Sequence, residues 1–178
     1  MRIVRPVVAG QDRVGIVVPI PEPEAGRLGA LRARLGDEFA MVPPHVTLVT
    51  GVPVTDWNAV VDHVAAVAAA ADPFTIQFEG TDTFRPITPV VFCKVVAGGD
   101  RCTSLHAALQ AGPLALPSAY PYVPHVTLAQ GLDDAVLDQV QEAQSQDRWT
   151  LQADRISLFG DVGDNDWKLR ATFPLGVS

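Results

Sequence analysis

Val42-Pro43-Pro44-His45-Val46-Thr47-Leu48 and Tyr122-Val123-Pro124-His125-Val126-Thr127-Leu128 share the run Pro-His-Val-Thr-Leu, and their histidines stand 80 residues apart (45 to 125). The chain has only four histidines, so the two copies hold half of them. In an extended strand, side chains at i and i+2 share a face while those between them point the other way. Each copy therefore presents an imidazole and a hydroxyl together, backed by Val and Leu that can anchor in a core. Two such strands brought together would line a pocket with two titratable groups and two neutral donors.

The segments around the motifs repeat as well. Val14 to Ile20 is a short β-branched run that reads as a strand. Residues 22–39 follow as a helix, with Leu28, Leu31 and Leu35 on one side and Arg27, Arg32 and Arg34 around it. After the first motif, Thr55 is placed to cap a helix carrying Trp57, Val60, Val61, Val64 and Val67 as its inner stripe, and Asp72-Pro73 ends it. Strands are expected over 74–78 and 90–96. Asp100 then caps a helix with Cys102, Leu105 and Leu109 inward, and the second motif strand follows. A helix opened by Asp133 and Asp134 comes next, and strands near 149–159 and 166–173 close the chain around Gly163-Asp164-Asn165.

Strand, helix, histidine strand, helix, strand thus occurs twice. A period near 80 is too long for a solenoid and indicates an internal duplication. The expected fold class is α+β, a bilobal pseudo-symmetric arrangement in which each lobe is an antiparallel sheet with helices packed outside and a central cleft between. No linker separates the lobes, so 1–178 reads as one domain, its lobes built roughly from the 14–80 and 88–174 repeats.

Composition narrows the function classes. The chain has 178 residues, 48% hydrophobic and 19% charged, which suits a folded domain rather than a disordered one. No apolar run approaches the roughly 20 residues that span a bilayer. Near the N-terminus, Gln11-Asp12-Arg13 interrupts the apolar stretch that follows Arg2 and Arg5, so no export signal is expected. Two cysteines, Cys93 and Cys102, outside any Cys-x-x-Cys pair read as buried residues of a cytoplasmic protein. The net charge of −7, with no run of Lys or Arg, argues against a duplex nucleic-acid partner. A membrane partner is not expected either, and the chain reads as a monomer.

Two histidines can divide acid–base work at one phosphorus. A neutral imidazole takes a proton from the attacking hydroxyl or water, and a protonated one hands a proton to the leaving oxygen. Thr47 and Thr127 can donate to the non-bridging oxygens, where charge accumulates. The scheme needs no cofactor, and no further His, Cys or acid lies at a recognisable zinc spacing. His63 and His106 fall beside apolar helix faces and read as packing or surface residues. Tyr122 and Arg85 are candidate further substrate contacts, the first as a stacking ring and the second as a phosphate fork. A core aromatic and a solvated loop arginine are the alternatives. Trp57 reads as core, and Trp167, after a turn, as a candidate cleft wall.

The paired motifs resemble those of the two-histidine (2H) phosphoesterase superfamily, and the Pro-His-Val-Thr-Leu context is most similar to its 2′-5′ RNA ligase and cyclic phosphodiesterase branch. The resemblance covers nearly the whole chain, extending to Tyr122 before the second Pro-His, to Phe84-Arg85-Pro86 and to the closing Leu158–Leu175 hairpin. It implies metal-independent hydrolysis or formation of phosphoesters at 2′ positions, with His45 and His125 as the catalytic pair and Thr47 and Thr127 binding phosphate. It further implies His125 as base and His45 as acid. Unlike the better-known RNA-processing members, this chain is acidic and poor in lysine. The expected partner is accordingly a small cyclic nucleotide or an RNA 2′,3′-cyclic phosphate end. RNA 2′-5′ ligation, a non-catalytic nucleotide-binding module and a purely structural duplication are the alternatives.

Overall fold

The computed structural model describes residues 12–36, 42–161, 163 and 165–176. Most of the stretch read for an export signal lies outside the described residues, as does Asp164 of the closing turn. The helix expected over 22–39 spans Glu24–Arg34, is capped by Leu35, and gives way to Gly36 at φ 67°.

Eight strands form one antiparallel sheet: β1 (Arg13–Pro19), β2 (His45–Pro53), β3 (Phe74–Thr83), β4 (Val90–Ala97), β5 (His125–Gln130), β6 (Arg148–Ala153), β7 (Arg155–Asp161) and β8 (Trp167–Pro174). Their order across the sheet is β6-β3-β4-β5-β2-β1-β7-β8. The two histidine strands are the central neighbours, each flanked by three strands of its own half. The expected pair of lobe sheets is therefore one continuous sheet, joined where β2 meets β5.

The halves of the sheet are not the halves of the sequence. β3, from the first repeat, pairs with β4 and β6 of the second. The stretch read as one strand over 149–159 breaks at Asp154, whose carbonyl accepts from the Leu175 N–H at 2.8 Å. Its first part, β6, becomes an edge of one half, and its second part, β7, crosses to pair with β1. Locality explains the exchange, because only the short turn 84–89 separates β3 from β4, and antiparallel neighbours need no crossover.

Four helices cover the face opposite the motif side chains: α1 (Glu24–Arg34), α2 (Trp57–Ala69), α3 (Gly99–Leu109) and α4 (Asp134–Ala143). Helices are exchanged as well, since α1 packs against β5 while α3 packs against β2. Leu28, Val60, Val64, Cys102, Leu105, Leu109, Leu137 and Val140 meet Val46, Leu48, Val126 and Leu128 in one apolar core spanning both halves. Burial pushes the Cys93 thiol up to about 12 and the Cys102 thiol up to about 11, so both behave as core residues.

Two of the expected caps move. Asp56, not Thr55, caps α2, its carboxylate accepting from the N–H groups of Asn58 at 2.9 Å and Ala59 at 3.2 Å. At α3 the cap is Gly98 in the left-handed region (φ 81°), and Asp100 lies inside the first turn. Only glycine fits there, because a Cβ would come 2.2 Å from the Thr75 carbonyl oxygen. Asp133 opens α4 as expected.

Candidate functional site

β2 and β5 are joined through one recorded pair, Val46 opposite Val126, and both valines are fully buried. Continuing that antiparallel register one residue each way sets His45 across from Thr127 and Thr47 across from His125. Because side chains alternate, all four polar groups share the face opposite the helix-packed valines. The structure thus brings the four expected residues together at the middle of the sheet. Prolines 44 and 124 stand immediately before the two strands and offer no N–H to extend them.

The two rings are held alike. His45 Nδ1 lies 2.7 Å from the Pro43 carbonyl oxygen, and His125 Nδ1 lies 2.7 Å from that of Val123. A carbonyl only accepts, so each Nδ1 carries its proton and each Nε2 is left as the working nitrogen. Burial pushes the His45 imidazole below its ordinary value. The Pro43 bond opposes this, while the charges of Arg32 and His125 add to it. Burial also lowers His125, opposed by the Val123 bond. The effect of the His125 charge on His45 places the two rings within electrostatic reach of each other. Among the described residues, no hydrogen bond engages either threonine hydroxyl.

Aromatic rings wall His125. Phe92 is the cross-strand partner of Thr127 and lies 5.1 Å from the His125 ring, and Phe84 meets it edge-on at 4.9 Å. Arg85 turns away from the imidazoles. Its guanidinium pairs with Asp138 at 2.8 Å and Asp134 at 3.3 Å, and donates to Gln141 at 3.0 Å, pinning the β3–β4 turn to α4. It thereby fixes Phe84 next to it. Tyr122 donates to the backbone carbonyl of Thr47 at 2.9 Å, and its ring stacks on His106 at 4.1 Å. His106 in turn holds the Leu48 carbonyl at 2.7 Å. Both side chains brace the first motif strand from the segment leading to the second. His63 contacts the Leu109 carbonyl, in keeping with its reading as a packing residue.

Phe84, Phe92 and Arg32 were not singled out from the sequence as site residues. Arg32 read as one of several arginines around a helix. It is in fact buried and donates to the Val42 carbonyl at 3.0 Å, at the approach to His45. Phe92 is buried together with Val91 and Cys93, so the apolar run 90–93 carries no alternation that would have marked it. Its neighbour on the same face is Lys94, the cross-strand partner of His125. Among the described residues no group of three or more His, Cys, Asp or Glu is placed to hold a metal ion. No helix among them is long and apolar enough to cross a membrane.

The sequence profile of the 2′-5′ RNA ligase superfamily matches residues 20–165 of this chain, taking in both histidine strands. The chain belongs to that superfamily. A putative phosphoesterase of Bacillus thuringiensis (strain Al Hakam) is 29% identical over 168 residues, spanning 92% of this chain and 97% of the relative. A putative phosphoesterase of Bacillus anthracis (strain CDC 684 / NRRL 3495) is equally similar, at 29% over the same length and shares. Among solved structures, Escherichia coli LigT in complex with 3′-AMP superposes with a TM-score of 0.69 at 17% identity, covering 93% of this chain and 98% of that one. TT0787 of Thermus thermophilus gives 0.63 at 17% identity, covering 93% and 98%. The α+β fold with its pseudo-symmetric halves is thus the fold of this 2H phosphoesterase superfamily.

Proposed function

We propose that this 2′-5′ RNA ligase superfamily member hydrolyses a 2′,3′-cyclic phosphate, on a nucleotide or an RNA end, by two-histidine acid–base catalysis without a metal. The observation that carries the reading is the Val46–Val126 register, which sets each imidazole opposite the other motif's threonine. A phosphate centred on that square would meet two Nε2 atoms and two hydroxyl donors. Water attacks phosphorus and gives its proton to the neutral imidazole. One of the two ring P–O bonds breaks, and the protonated imidazole delivers its proton to the departing ribose oxygen. Thr47 and Thr127 donate to the non-bridging oxygens as their charge rises.

The resemblance implies His125 as base and His45 as acid in this scheme. Like charges repel, so a proton on either ring opposes one on the other, as the effect of His125 on His45 shows. The pair therefore holds one proton more readily than two, which leaves one imidazole neutral to act as base and the other charged to act as acid. Incubation with the four nucleoside 2′,3′-cyclic phosphates, with and without EDTA, tests the reading. Turnover in EDTA that is lost in both His45→Ala and His125→Ala supports it; no turnover of any cyclic phosphate or RNA end refutes it. LigT has been solved with 3′-AMP, ATP and NADP+. A module that holds nucleotides without turnover is thus the second reading, separated from the first by calorimetric binding in the absence of product.

A further inference from the structure

The sheet face that carries the histidines is apolar on the β1 side. Val17 is the cross-strand partner of Thr47, and two residues further along β1 comes Gly15. Trp167 lies against Gly15 so closely that a Cβ there would come 2.9 Å from its Cζ3. β7 sets Phe159 beside Gly15, and β8 sets Leu169 beside Phe159. None of Val17, Phe159, Trp167 or Leu169 belongs to the helix-covered core, and Leu169 is 58% exposed. At the far end Arg13, paired with Asp161 and 3.2 Å from Asn165, lies 5.9 Å from the Trp167 ring centroid.

This patch starts where the phosphate square ends. Gly15 lies about 7 Å from Val17 along the strand, at about 3.4 Å per residue. A ligand whose phosphate sits at Thr47 would hold its next large group over Trp167. The missing Cβ at position 15 gives the indole room to approach the strand, and Arg13, anchored by Asp161, lies over one face of the ring. A partly exposed indole with an exposed leucine beside it, one nucleotide unit from an anion site, suits a flat heteroaromatic ring better than a sugar or an alkyl chain.

We propose that Trp167 is the stacking platform for the substrate's nucleobase, with Gly15, Val17, Phe159 and Leu169 forming the nucleoside subsite. The proposal rests on the reading of the four motif residues as a phosphate site and makes base recognition a property of the β1–β7–β8 half. The test compares nucleoside 2′,3′-cyclic phosphates with glycerol 1,2-cyclic phosphate, which has no base. The wild type should favour the nucleotides in kcat/KM, chiefly through KM, and Trp167→Ala should shrink that preference about 10- to 100-fold, the range of one base–aromatic stack. Trp167→Phe, which keeps a smaller ring, should fall between. Independently of turnover, adding 5′-AMP should quench tryptophan emission in the wild type, and the quench should vanish in Trp167→Phe, which retains Trp57 and Trp149. An unchanged preference ratio in folded Trp167→Ala, or an unchanged quench in Trp167→Phe, overturns the platform and leaves the phosphoesterase reading intact. Absence of turnover with every substrate removes that reading instead, and the fluorescence titration then decides the platform alone.

Discussion

Val46 and Val126 face each other at the seam of the sheet, and through this one strand pair the two halves of the sheet are joined. Both are fully buried on the helix side, so the residues on either side of each must emerge on the other. The square of two imidazoles and two hydroxyls is thus a consequence of a hydrophobic register. A slip of one residue would carry an imidazole into the core and a valine into solvent, which is why the register is strongly held.

The threonine hydroxyls are the direct test of the square. With no hydrogen bond to either hydroxyl among the described residues, Thr47→Val and Thr127→Val should leave the melting temperature close to wild type. Each should lower kcat about 100-fold, the usual cost of one lost transition-state donor. Steady-state kinetics beside a thermal melt measures both. Equal activity in either variant would show that its hydroxyl does not meet the phosphate.

Tyr122 offers a sharp contrast between a substrate contact and a brace. Its hydroxyl is committed to the Thr47 carbonyl, and burial holds its pKa well above the ordinary tyrosine value. Tyr122→Phe keeps the stack on His106 and strands that carbonyl, at about 1–2 kcal/mol of stability. Chemical denaturation should register the loss, with KM nearly unchanged. A large rise in KM with unaltered stability would instead make Tyr122 a ligand contact.

Much of this was legible in the sequence, for identifiable reasons. The strand reading of both motifs, the duplication and the inward stripes of the helices follow from side-chain periodicity, which is local. The four polar residues were legible because the same spacing occurs twice. The exchange of β3 and β7 between halves was not, since the pairing of distant strands leaves no periodic trace. Arg85 looked like a phosphate fork, but the acids that capture it, Asp134 and Asp138, lie some fifty residues away on α4. Asp56 displaced Thr55 as the cap of α2 by one residue, the scale on which capping residues compete.

Arg32 sets a positive charge near His45. Its charge adds to burial in lowering that imidazole. Arg32→Met should raise the His45 titration midpoint and move His125 little, as followed by the imidazole signals in NMR. Equal displacement of both rings, or none, would show that the Arg32 charge does not bear selectively on His45.

Stability should carry the signature of the same two rings. Both imidazoles are lowered in the folded state by burial, so below the ordinary value of about 6.5 the unfolded chain binds more protons than the native one. Their contribution to stability is therefore fully present above that pH and is lost progressively as the pH falls through the window beneath it. Melting temperatures of the wild type should drop from pH 8 to pH 5 more than those of a His45→Asn/His125→Asn double variant, in which neither position can charge. Inorganic phosphate should reverse the trend, because an anion between the rings favours their protonated forms. Its stabilising effect should then be larger at pH 5.5 than at pH 8, and should disappear in the double variant. A phosphate response independent of pH, or one that survives loss of both histidines, would place the anion somewhere other than between His45 and His125.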